Sequence, residues 1–165
     1  MRFGAASPLR TYSACHARTL DQCAQLRGLV RNADHPGMHV KNQAIARGIL
    51  MHFDSAEMRN HAEEERCLFP ALLDSMAAAD PVCLREMTRE LTGEHRTLEG
   101  MWSLLRASVV QVAHGLPARF CADEVEAFID ASLRHIEFEE LQLLPMAARL
   151  IDGCELVRLR RAMNT

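Results

Sequence analysis

No apolar run in the 165 residues is long enough to span a bilayer, so no membrane-crossing helix is expected. Met1 to Arg18 carries no continuous apolar stretch of the kind that opens a secretory signal. Six cysteines (15, 23, 67, 83, 121 and 154) are scattered, with no Cys-x2-Cys pair and no tight framework. That usage suits reduced, mostly buried thiols in a cytoplasmic protein. No sign of charge dominates either: the net charge is −3 and the pI near 6.2, with only a short basic tail at Arg158, Arg160 and Arg161. Neither nucleic acid nor an anionic membrane surface is therefore expected as a partner. Finally, no segment alternates apolar and polar residues as a half-buried strand does.

What the chain has is helical periodicity over a length that suits one domain, 1–165. Leu9, Tyr12, His16, Leu20, Cys23, Leu26 and Val30 recur at three- and four-residue steps, and Asp-His-Pro-Gly within 32–38 closes this first helix. A second helix is expected from His39 or Val40 to about Pro70, with Ile45, Ile49 and Met58 inside and Pro70 kinking or ending it. Asp80-Pro81 opens a third, whose stripe runs from Leu84 through Trp102 to Val112 before His114-Gly115-Leu116-Pro117. A fourth carries Val125, Phe128, Ser132, His135 and Glu139 up to Leu144-Pro145. Asp152 and Glu155 form a capping box for a short C-terminal helix over about 152–163. The expected fold is all-α: an antiparallel up-down four-helix bundle over about 9–150 with that short addition.

Each of the four stripes contains a histidine, and three contain a glutamate four residues later: His16, His61 with Glu65, His95 with Glu99, and His135 with Glu139. Residues four apart share a helix face. One such pair is ordinarily a solvated ion pair worth a few tenths of a kcal/mol, at about 0.2–0.5. Seven such groups at one level of a bundle are different, because burying each unpaired costs several kcal/mol against a net stability of about 5–15 kcal/mol. A metal centre resolves that conflict, and imidazole with carboxylate is a ligand set for iron, manganese or zinc. Glu-x-x-His, the ferritin-like motif, is absent, and a closed zinc site needs only about four ligands.

His16, His61-x3-Glu65 before Leu-Phe-Pro, Glu94-His95, and His135-x3-Glu139-Glu140 before Leu-Leu-Pro resemble a hemerythrin-like (HHE cation-binding) domain over about 9–150. The resemblance implies two non-haem irons, oxo- or hydroxo-bridged, with Glu65 and Glu139 as bridging carboxylates. Two departures stand out. Oxygen carriers of this kind have His-x3-His on the third helix where this chain has His95-x3-Glu99, and Asp where it has Glu140. With Glu99 as a terminal ligand, about one of twelve octahedral positions stays open for a small diatomic ligand. An added anionic donor favours ferric iron, which counts against reversible oxygen carriage.

The expected function is thus binding of oxygen, nitric oxide or a related species for sensing, storage or detoxification, with any protein partner unknown. A di-iron oxidase or peroxide-consuming enzyme, and an iron-responsive interaction module, are the alternatives. Tyr12, one turn before His16, can reach the site. His52 is expected to be a partly exposed helix residue, His35 and His39 loop residues, and His114 a partner for the negative end of helix three.

Overall fold

The computed structural model describes residues 8–32, 39–75 and 81–151, and helix dominates all three stretches. Helix α1 is Leu9–Arg31, α2 covers 39–75, α3 is Pro81–Ala113 and α4 covers 122–150. Each long helix packs on its neighbours in a ring, α1 on α2, α2 on α3, α3 on α4 and α4 back on α1. Helices joined by short connections and packed along their lengths run antiparallel, which gives the up-down bundle. Helix α3 ends as its sequence dictates, with Gly115 at φ 73° and Leu116 N–H returning to the Gln111 carbonyl. The capping box and the helix expected over 152–163 lie outside the described residues, as do Asp80, His35 and the basic tail.

The core is two apolar clusters with a polar layer between them. One gathers Cys23, Leu26, Phe53, Leu98, Trp102 and Phe128 with their neighbours, the other Leu9, Tyr12, Leu68, Leu91, Leu143 and Leu144 with theirs. In every helix the polar layer falls where the chain passes from one cluster to the other: His16 and Thr19, Glu57 to Glu64, His95, and Ser132 to Glu139. Burial of the apolar residues on both sides therefore carries these polar groups inside.

Two of the four helices are not uniformly α-helical. Helix α2 contains π-helical turns at His52–Glu57 and Glu64–Leu68, and α4 contains one at Glu139–Leu143. The second and third precede Pro70 and Pro145. A proline lacks the N–H and crowds the carbonyl four residues earlier, here those of Arg66 and Leu141, both inside the widened turns. Pro70 thus neither ends nor breaks α2, which continues as Phe69–Ser75.

Each widened turn shifts the phase of what surrounds it. In a regular helix residues 52 and 57 would point about 140° apart; across the π turn both His52 and Glu57 are buried. His52, expected partly outside, is inside, while Met58, expected inside, is 47% exposed. In α1 the buried face takes Thr19 and Leu29 where Leu20 and Val30 were expected, and Leu20 is exposed. His39 opens α2 and is not a loop residue. Among the thiols, Cys15 and Cys23 are buried, but Cys83 and Cys121 are exposed.

Candidate metal centre

Among the described residues two acidic side chains are wholly buried, Glu64 and Glu139, each at 0% exposure. Both head a π turn, one in α2 and one in α4. Glu64, His95, His135 and Glu139 offer ligand atoms within 4.8 Å of one another, and so do His61, His95 and His135. His16 joins from α1, its Nε2 lying 3.0 Å from Glu139 Oε2 and 3.8 Å from Glu64 Oε1. On the other side His95 Nε2 is 3.3 Å from Glu64 Oε2, and His135 Nε2 is 3.4 Å from Glu139 Oε1. Each carboxylate therefore turns one oxygen toward His16 and the other toward His95 and His135.

The facing atoms have no hydrogen-bond partner: His16, His95 and His135 through Nε2, both nitrogens of His61, Glu64 Oε2 and both oxygens of Glu139. Buried polar groups are ordinarily satisfied, and orphans converging from four helices can serve as the donor set of a cation. The opposite nitrogens are satisfied. His16 Nδ1 lies 2.7 Å from Glu140, His95 Nδ1 2.8 Å from Glu65, and His135 Nδ1 2.7 Å from Glu94. A carboxylate on Nδ1 fixes the ring and leaves Nε2 as the lone-pair donor, the arrangement that supports metal-binding histidines.

Of the seven expected ligands, the structure brings together His16, His61, His95, His135 and Glu139. It does not bring in Glu65 or Glu99. Glu65 accepts from His95 and Arg96, and Glu99 pairs with Arg96 at 2.9 Å while standing 3.7 Å from His61 Nδ1. Both are partly exposed, outside the imidazoles. The physical reason for Glu65 is register: successive helix residues point about 100° apart, and the carboxylate that heads the π turn and faces inward is Glu64, three residues after His61 and four after Asn60. Glu64 was missed, although a signal for it existed: it stands six residues before Pro70, as Glu139 stands six before Pro145. Glu140, the alternative to Glu139 on helix four, supports His16 from outside.

Electrostatics follow from this crowding. Burial alone would lower the imidazole of His16, but the neighbouring Glu139, Glu140 and Glu64 push it up to about 12, and similar neighbours push His95 up to about 10. Burial would raise Glu139; His16, His95 and His135 instead hold it down at about 2. Tyr12 is buried with its hydroxyl unpartnered, and burial together with the charge of Glu64 pushes it well above its ordinary value.

A second polar group adjoins the centre. Glu57 accepts from Thr19 at 2.6 Å, faces His52 Nε2 at 3.5 Å and His61 Nε2 at 3.7 Å, and Cys15 donates to it at 3.6 Å. Burial would raise Glu57, but His52, His61 and Thr19 hold it well below the carboxylate range, while burial and Glu57 push the Cys15 thiol up. Glu57 and His61 also line a cavity of about 390 Å³ between α2, α3 and α4, walled by Phe53, Leu98, Trp102 and Phe128. At its edge Asp54 accepts from Trp102 Nε1 and Arg106, both at 2.9 Å.

The family model described as the Hemerythrin HHE cation binding domain matches residues 7–147, most of the chain. No curated protein matches it.

Proposed function

Because the chain belongs to the hemerythrin HHE cation-binding family, we propose that it is a non-haem di-iron protein that binds oxygen, nitric oxide or a related small species, for sensing, storage or detoxification. The observation that carries this is the set of unpartnered Nε2 and carboxylate oxygen atoms converging from four helices, each of three histidines oriented by a carboxylate on its far nitrogen. The donors are nitrogen and oxygen with no thiolate among them, and they outnumber the four of a closed zinc site, which favours iron or manganese. Glu64 and Glu139 are the bridging carboxylates of this reading, and His16, His61, His95 and His135 the terminal imidazoles. Glu65, Glu94 and Glu140 are positioning residues that set each ring's donor nitrogen.

A bound iron pair supplies redox change and open coordination positions for a diatomic molecule. With Glu99 outside the donor set, four imidazoles and two bridging carboxylates fill about eight of twelve octahedral positions. More room is left for a bridging oxygen and a small ligand than the count that included Glu99. The two apolar clusters above and below the polar layer keep bulk water from these positions.

Iron reconstitution under anaerobic conditions, followed by metal analysis and nitric oxide titration watched by absorbance, tests the proposal. About two irons per chain and a stoichiometric spectral change are expected. A chain that retains no iron after reconstitution, or loaded iron indifferent to nitric oxide and to oxygen admitted to a separate sample, overturns it.

One observation favours a second reading, the di-iron oxidase. The cavity beside His61 exceeds the needs of a diatomic ligand and lies in the size range of small-molecule sites. Oxygen consumption by the reduced, iron-loaded protein that rises when a small apolar alcohol is added would favour that reading.

A further inference from the structure

Helices α2 and α4 run the same way through the bundle and present the same motif, and they differ at one position. Glu64 and Glu139 each stand six residues before a proline, each heads a π turn, and each is followed by a glutamate that holds the Nδ1 of a histidine on another helix. Four residues before Glu139 is His135, whose Nε2 meets Glu139 Oε1 at 3.4 Å. Four residues before Glu64 is Asn60, buried, whose Nδ2 donates to Glu64 Oε1 at 2.7 Å. The imidazole of α2 comes one residue later, at His61, about 100° further round the helix. There it stacks on His95, ring centroids 4.0 Å apart and planes at 4°, and shares the cluster of His95 and His135.

We infer that Asn60 occupies the ligand slot that His135 fills on α4, and that the two metal positions are in consequence unequal, one facing three imidazoles (His61, His95, His135) and the other facing His16 alone. This deepens the dinuclear reading above and rests on it. The oxygen that Asn60 holds, Glu64 Oε1, is the one turned toward His16. On that side the donors are His16 Nε2, Glu64 Oε1 and Glu139 Oε2. A neutral amide that spends its N–H on a bridging carboxylate orients that bridge, but adds no imidazole to the metal. The His16 position is then the labile one.

The test is a titration of the metal-free full chain with cobalt(II), followed by visible absorbance and by metal analysis after equilibrium dialysis. Wild type should take up one ion tightly and a second more weakly, by on the order of 100-fold, the upper end of what disturbing a metal site's support costs. Asn60→His should tighten the second step by a similar factor and leave the first unchanged. Asn60→Asp, which matches the amide in size and needs no extra room, should also tighten it through an anionic oxygen. Two equally tight steps in wild type overturn the inference while leaving the dinuclear reading intact, and so does a second step that neither variant moves. If neither wild type nor any variant exceeds one ion per chain, the dinuclear reading itself fails and the inference falls with it.

Discussion

At the scale of single residues, division of labour among the glutamates is the point on which the centre turns. Glu64 lies within the donor set and Glu65 behind His95, although the two are neighbours in sequence. Glu64→Ala should therefore abolish binding of both metals, whereas Glu65→Gln should keep the stoichiometry and weaken affinity by about 10–100-fold, as loss of an orienting partner does. Metal analysis of the two purified variants decides it; equal loss in both would mean that the run is not divided in this way. Glu99→His belongs to the same scale. Glu99 sits outside the imidazoles on Arg96, so the change should leave the metal count unaltered. His16, His95 and His135 were legible because each falls in register with buried apolar neighbours on a regular stripe. The choice within Glu63-Glu64-Glu65 was not, because the four-residue spacing was counted from His61, whereas the residue four before Glu64 is Asn60, which carries no imidazole to mark the register.

At the scale of elements, boundaries read well from the sequence where cap chemistry is local. Pro81 starts α3, and Gly115 ends it in the left-handed conformation that the sequence signal requires. Gly115→Ala should destabilise the fold by about 1 kcal/mol, since a Cβ is strained at that φ and would meet the flexible end of Gln43 at 2.6 Å. Denaturant unfolding measures the change, and a neutral result would mean that the helix end relaxes without cost. The π turns were not legible, although prolines mark two of them. Pro70 and Pro145 read as breakers, yet tertiary burial of Phe69, Leu72, Leu144 and Ala147 keeps both helices going beyond them. Pro70→Ala removes the crowding at Arg66 that the widened turn accommodates. It should lower metal affinity without loss of helical circular dichroism, because relaxation toward α geometry rotates Glu64 away from Glu139. Unchanged affinity would show that side-chain packing alone holds the turn.

For the whole molecule, an interior layer of carboxylates and imidazoles couples stability to protons and to metal. His16 has a folded pKa raised from 6.5 to about 12, so the stability it contributes is complete below 6.5 and declines as pH rises from there. Glu139 is depressed from 4.5 to about 2, so its contribution is complete above 4.5 and is lost as pH falls toward 2. Together they place the most stable range of the metal-free protein between pH 4.5 and 6.5. Metal ions take the place of the protons on the imidazoles, so loading should release protons and raise the melting temperature most at the alkaline side of that range. Melting curves against pH, with and without metal, test this; a metal-free optimum above pH 8 would contradict it. The bundle and its ring of helices were evident from periodicity alone. The inner wall built by His52 and Glu57 was not, because no regular helix turns both residues inward.

Trp102 is the sole tryptophan in the chain, and it forms one wall of the cavity that His61 closes. Every photon of indole emission from this protein therefore originates beside the proposed iron pair. Ferric centres of the oxo-bridged kind absorb in the near ultraviolet, where indole emits, so iron loading should quench the fluorescence by energy transfer. A ligand entering the cavity should shift the emission colour by changing the polarity around the ring. Occupancy of the centre and of the cavity can thus be followed separately, in real time, on unlabelled protein.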